Sequence, residues 1–116
     1  MNKENLKTLV IDAIEDIKGI EVRVYDLEGK SDVTDVMIIA SGNTTRQVKA
    51  ISDNIIDQSK KQGVMPLGVE GQTVAEWVLV DLGDVVAHIM TPSIRDFYNL
   101  EKLWGDDSPS AIQEQS

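Results

Sequence analysis

The chain has no cysteine, which removes disulfide frameworks, thiolate metal sites and cysteine nucleophiles together. A reducing compartment, the cytoplasm, fits that usage. Histidine is nearly absent too, and His88 is the one imidazole available for acid–base work. Aromatics are scarce at 4%, so the 41% hydrophobic content has to build its core from Val, Ile and Leu. No apolar run approaches the ~20 residues of a membrane span. Met1-Asn2-Lys3-Glu4 does not open a signal peptide, and no membrane association is expected. Basic residues are outnumbered, eleven against twenty acidic, giving a net charge of −9. They are scattered, and the densest pair, Lys60-Lys61, falls at an expected helix end, where cations suit the dipole. Nucleic-acid binders cluster Lys and Arg to displace phosphate counterions. Little direct nucleic-acid contact is therefore expected, whereas an acidic chain suits a basic protein partner whose approach its field speeds.

At 116 residues the chain is long enough for one domain with a modest core. Leu6, Leu9, Val10, Ala13, Ile14 and Ile17 recur at helical spacing, predicting an amphipathic helix over about 3–18 that stops at Gly19. Residues 20–27 alternate, with Ile20, Val22 and Val24 set against Glu21, Arg23 and Tyr25, as in a strand with one wet face. Residues 28–32 form a turn. Val36-Met37-Ile38-Ile39-Ala40 has no polar alternation and reads as a central strand covered on both faces. Thr44 and Gln47 form a capping box for a helix over about 44–62, whose core stripe is Val48, Ile51, Ile55 and Ile56 and which ends at Gly63.

Residues 66–71 predict a short edge segment. Trp77 to Met90 then reads as a hairpin around Asp81-Leu82-Gly83-Asp84. Alternation puts Trp77, Leu79 and Asp81 on one face with Val78, Val80 and Leu82 on the other. The return strand divides into Val85, Ala87 and Ile89 against Val86, His88 and Met90. A last helix is expected from Pro92-Ser93, with Ser93 as its cap, carrying Phe97, Leu100 and Trp104. The order α-β-β-α-β-β-β-α gives a mixed α/β (α+β) domain over residues 1–104, followed by a disordered polar tail over 105–116.

Each candidate for chemistry has a plainer competitor. His88 with Asp81 or Asp84 would make an oriented general base, but no serine or cysteine stands at a strand-to-helix elbow as its nucleophile. Glu70, Asp81 and Asp84 could hold a hard cation, yet Asp on both shoulders of a tight turn is common because its carboxylate accepts from nearby amides. Ser41-Gly42-Asn43-Thr44 could meet an anion at a helix start; a capped strand-to-helix connection is the simpler reading. No phosphate-binding glycine fingerprint is present. Trp77 opens a strand and Trp104 ends a helix, edge positions where aromatics serve interfaces, and for these two and Tyr98 core and interface stand level. The hairpin reads as a docking surface rather than a reaction centre.

These residues together resemble the ribosomal silencing factor (Iojap) family. The resemblance runs over nearly all of residues 5–104. It takes in Val10-Ile11-Asp12, Ile17-Lys18-Gly19, Gly29-Lys30-Ser31, Thr34-Asp35 and Pro66-Leu67-Gly68-Val69-Glu70-Gly71. It continues through Trp77, Val80-Asp81-Leu82-Gly83-Asp84-Val85, His88, Tyr98 and Leu100-Glu101-Lys102-Leu103-Trp104. The resemblance implies a factor that binds the large ribosomal subunit through its ribosomal protein fourteen, blocks joining of the small subunit and represses translation under nutrient limitation. It also implies a nucleotidyltransferase-like fold without an active site. Here Ser41-Gly42 is followed by no paired Asp-x-Asp on the next strand. On that reading the chain is no enzyme, binds no cofactor or metal, and meets its ribosomal protein through Glu70, Trp77, Asp81, Leu82, Asp84, His88, Tyr98, Leu100 and Lys102. Trp77, Leu82 and Tyr98 are expected to carry most of the energy. Two alternatives stand beside it: a metal-dependent nucleotidyltransferase-like enzyme using Glu70, Asp81 and Asp84, and a homodimer of the free protein through its aromatics.

Overall fold

The computed structural model describes residues 1–30, 32 and 34–103; the expected tail and Trp104 lie outside the described residues. The elements are α1 (Lys3–Asp16), β1 (Ile20–Asp26), β2 (Val36–Ser41), α2 (Thr45–Lys61), β3 (Gly68–Glu70), β4 (Trp77–Asp81), β5 (Val85–Met90), α3 (Pro92–Tyr98) and α4 (Leu100–Leu103). Five strands form one mixed sheet in the order β1-β2-β5-β4-β3. Only β2 and β5 pair in parallel, Val36 opposite Val85 through Ser41 opposite Met90; the other neighbours are antiparallel.

Every residue of β2 and of β5 is buried. On one face Val36, Ile38, Ala40, Val85, Ala87 and Ile89 meet Val78, Val80 and Leu82 of the hairpin and the apolar stripes of α1 and α2. On the other face a smaller cluster of Tyr25, Leu27, Met37, Ile39 and Met90 is joined by Trp77, Ile94 and Leu100. Covering both faces is what a strand without polar alternation demands, since any face left wet would expose Ile or Met to water.

The helix ends are set by local chemistry. Asn2 caps α1, its side chain accepting from the Asn5 amide at 2.8 Å. The exit from α1 differs from expectation: Lys18, not Gly19, takes the left-handed conformation, at φ 64°. Gly19 is needed for a different reason, because a Cβ there would lie 2.3 Å from Ile14 Cγ2. Thr44 caps α2 as predicted. Gln47 reaches back to the Asn43 amide at 2.7 Å, while its Nε2 donates to the carbonyls of Ile17 and Lys18 at 3.0 and 2.9 Å. One glutamine thus finishes two helices and ties them together.

Three expectations need correction. The polar side of β1 is not wet at its far end, since Tyr25 is 1% exposed. The strand has a register shift between Ile20 and Arg23, and Tyr25 then turns under the smaller cluster. The last helix is two: α3 begins at Pro92 with Thr91, not Ser93, at its cap position, and Asn99 at φ 47° breaks the chain before α4. Finally, Leu82, expected on the docking surface, belongs to the main core at 6% exposure. Its amide donates to the Val85 carbonyl at 2.9 Å, closing the turn and turning the side chain inward. Leu82→Ala is accordingly expected to lower the unfolding free energy by about 2–4 kcal/mol, read from chemical denaturation of the purified protein. An unchanged midpoint would return Leu82 to the surface.

Candidate functional site

The face of the hairpin away from α1 and α2 is laid out in cross-strand rows. Glu70, Leu79, His88 and Ile39 form one row, Gly68, Asp81, Val86 and Met37 the next, and Trp77, Met90 and Ser41 a third. Helices α3 and α4 lie over the end that holds the third row, and the apolar cluster beneath them does not extend to Leu79.

Trp77 is the hinge of this surface. It is half-buried, and its indole N–H donates to Nδ1 of His88 at 2.9 Å. Its ring stands 5.2 Å from that of Tyr98, and the Tyr98 ring meets Phe97 edge-on at 4.9 Å. Trp77 is divided between inside and outside: its indole N–H is spent on the buried His88 while its ring lies against Tyr98. Phe97 and Tyr98 are 78% and 55% exposed. Such exposure at adjacent large aromatics is unusual, because desolvating them is worth several kcal/mol.

His88 itself is 7% exposed and touches no solvent-facing partner site directly. Burial lowers its pKa to about 4, so it is neutral at pH 7, with Nδ1 as acceptor and the proton on Nε2. The carboxylates spread rather than converge. Asp81 accepts the Gly83 amide at 2.9 Å, the local turn role that competes with metal binding. Asp84 and Glu70 are exposed, and Thr34 Oγ1 donates to the Asp84 backbone carbonyl at 2.9 Å. Among the described residues no three His, Cys, Asp or Glu are grouped to hold a metal ion. Leu100 packs half-buried in the smaller cluster and Lys102 is exposed on α4, so both stand apart from the hairpin rows.

A buried polar cluster that sequence reasoning missed holds α3 and α4 in place. Arg95, 6% exposed, donates through Nε and Nη2 to the Glu101 carboxylate at 3.2 and 3.0 Å and through Nη1 to Ser41 Oγ at 3.0 Å. The Tyr25 hydroxyl and the Arg23 guanidinium also approach Glu101, at 3.4 and 3.9 Å. Burial would raise the Glu101 pKa, but the hydrogen bonds and charge of Arg95, with Arg23 and Tyr25, hold it below its ordinary value. A cleft of about 590 Å³ opens beside the cluster, lined by Glu21, Arg23, Pro92 and Asn99 among others. Each nitrogen of the Arg95 guanidinium is already committed within the protein. The two partners lie six residues apart on different helices, so no helical spacing rule could have paired them.

Acid should unfold the protein in a defined order. His88 titrates near 6.5 when unfolded and near 4 when folded, so between those values the unfolded chain binds more protons. Its contribution is complete above pH 6.5 and is lost as pH falls towards 4, on the order of 2–3 kcal/mol. Glu101, held low in the fold, adds its own loss as pH drops below the usual carboxylate range. Melting temperature followed from pH 7 to 4 should decline from about pH 6.5 onward, and His88→Gln should flatten the part above pH 5. An equal decline in that variant would assign the loss to other groups.

Comparison with known proteins gives the family of the chain. Residues 1–116 match the family described as ribosomal silencing factor during starvation. The ribosomal silencing factor RsfS of Chromobacterium violaceum is 43% identical, over 95% of this chain and 90% of its own length. That of Haemophilus influenzae is 42% identical, over 85% and 97%. A crystal structure of a protein from Chromobacterium violaceum superposes with a TM-score of 0.90 at 41% identity, covering 98% of this chain and 95% of that one. More distantly, the mouse protein named mitochondrial assembly of ribosomal large subunit protein 1 is 35% identical over 61% of this chain and 32% of its own length. With a family match spanning its whole length and relatives above 40% identity along most of it, this chain belongs to the ribosomal silencing factor family.

Proposed function

We propose that this chain docks on the large ribosomal subunit through ribosomal protein fourteen, blocks joining of the small subunit and so represses translation when nutrients are limiting. Its place of action is the cytoplasm. The observation that carries the reading is the exposed Phe97–Tyr98 ridge, propped on Trp77, in a chain of the ribosomal silencing family. The mouse relative, named for assembly of the ribosomal large subunit, favours the large subunit as the partner. Charge points to a protein contact: a surface of net charge −9 is repelled by ribosomal RNA and attracted by a basic ribosomal protein.

The contact surface consists of Tyr98 and Phe97 with Trp77 behind them, bordered by Glu70, Asp81 and Asp84 of the hairpin. Leu82 and His88 are buried and act, if at all, through what they support. Leu100 and Lys102 extend the surface along α4. No step of this function transfers a bond. Repression follows from occupancy, because a body seated on the joining face of one subunit sterically excludes the other.

The protein should sediment with large subunits and not with small ones, and should lower the yield of joined ribosomes. Raising salt from ~0.05 to ~0.3 M should weaken binding, mainly by slowing association. Tyr98→Ala removes an exposed ring, so it should keep the wild-type melt within a few degrees while losing roughly thirtyfold in affinity. Trp77→Ala is expected to lose both stability and binding, since the indole serves both. Equal sedimentation with both subunits, or full binding by Tyr98→Ala, would defeat the proposal.

A further inference from the structure

The aromatic ridge stands on a polar contact that does not itself reach the surface. In the interior row, His88 is flanked by Leu79 and Ile39, both apolar. Its Nδ1 is committed to the indole N–H of Trp77 at 2.9 Å, with the two rings 5.8 Å apart and tilted by 52°. Trp77 in turn carries Tyr98, and Tyr98 carries Phe97. An indole on a half-exposed strand end can rotate about two side-chain torsions. The apolar contacts alone leave its orientation weakly specified, whereas a directional N–H acceptor selects one. The position of the outermost rings is therefore fixed from below, three residues deep.

We propose that His88 is a positioning residue for docking: as acceptor of the Trp77 N–H it locks the indole, and through it the Tyr98–Phe97 ridge, in the orientation that the partner reads. The functional half of this inference rests on the large-subunit reading above; the structural half does not. A core histidine of purely structural value could be exchanged for any side chain that fills its volume. A positioning histidine can be exchanged only for another acceptor, and its effect must pass through the indole N–H.

The charged and titratable groups that share this face or lie over it include Arg23 and Tyr25 of β1, Glu70 of β3, Asp81 of β4, Arg95 and Tyr98 of α3 and Glu101 of α4. Between His88 and two of them, Glu70 and Arg23, stands an apolar neighbour in the same row, Leu79 on one side and Ile39 on the other. A signal that responds to His88 can thus be separated from theirs by substituting His88 alone.

The test is a cycle of variants measured for affinity to isolated large subunits at pH 7, each first shown to melt cooperatively. His88→Leu removes the acceptor and leaves a buried N–H unpaired, and should weaken docking roughly tenfold. His88→Gln restores an acceptor and should bind within about threefold of the parent. In a Trp77→Phe background, which has the ring but no N–H, His88→Leu should cause no further loss, because the two positions are coupled. Parental affinity in His88→Leu, or the same tenfold loss with Phe at position 77, would overturn the proposal.

A second measurement needs no ribosome and covers a His88→Leu chain that fails to fold. In a Trp104→Phe chain, Trp77 is the remaining tryptophan, and its near-ultraviolet circular dichroism reports how rigidly it is held. That band should fade on acidification as His88 takes up a proton, while far-ultraviolet dichroism still reports a folded chain, and should persist over the same range in His88→Gln. A band indifferent to His88 would overturn the locking role. Should the parent itself not bind large subunits, the docking reading falls, and the dichroism still decides whether His88 holds the indole.

Discussion

The parallel pairing of β2 with β5 is the constraint from which the rest of the molecule follows. A parallel pair cannot be closed by a turn; the chain has to leave the sheet and return, and here it does so through α2, β3 and β4. Both strands are buried over their full length, so each face of the sheet needs its own cover. One cover is the helix pair α1 and α2, joined by Gln47 and by Asn54, whose Nδ2 donates to the Ala13 carbonyl at 2.9 Å. The other is the thinner layer of α3 and α4, seven and four residues long. Helices so short do not hold themselves together in water.

The thin cover is fixed by charge rather than by area. Arg95 meets Glu101 in a two-pronged contact and Ser41 through its third nitrogen, so α3 is bound both to α4 and to the end of β2. A buried pair of this kind adds little net stability, because desolvation offsets much of the attraction. What it does supply is direction. A planar guanidinium with three hydrogen bonds to two partners permits one placement of α3 on the sheet, and the apolar contacts of Ile94 and Leu100 then follow. That placement is also what sets Tyr98 against Trp77, so the polar cluster under the helices and the aromatic ridge on them belong to one arrangement.

Where the fold was legible in the sequence, periodicity made it so. Leu6 to Ile17 and Val48 to Ile55 are spaced as helices must be to bury one stripe, and the unbroken apolar run of β2 signalled cover on both sides. Element order as far as β5, the capped start of α2 and the edge position of β3 agree with the structure. What was illegible depended on tertiary partners. Tyr25 alternates with Val24 and therefore looks wet, until α4 comes to lie over it. Asn99 interrupts a good helical pattern by adopting a left-handed turn that leaves no mark in hydrophobicity. Of the residues expected at the surface, Tyr98 is exposed, and Trp77 shares itself between inside and outside. His88 could not be told from a surface residue by alternation alone, because on β5 both alternating sets are buried, whereas alternation groups Leu82 with Val78 and Val80, the core set it joins.

The hydrogen bond from Trp77 gives a physical reason for a histidine at a position that burial penalises. An apolar residue at 88 would pack the row between Leu79 and Ile39 without any desolvation cost, and the sheet would gain acid resistance. It would also leave the Trp77 N–H with no acceptor at that depth, and a buried donor without a partner costs about 1–3 kcal/mol. Replacing the indole as well would relieve that cost and remove the platform under Tyr98. The pair is therefore constrained jointly: the surface aromatics need a wide, rigid ring beneath them, the ring brings an N–H, and the N–H requires a neutral acceptor on the adjacent strand. A carboxylate there would bring a buried charge. Neutral imidazole meets these demands, and its pKa, lowered to about 4, is the physical consequence of its burial there.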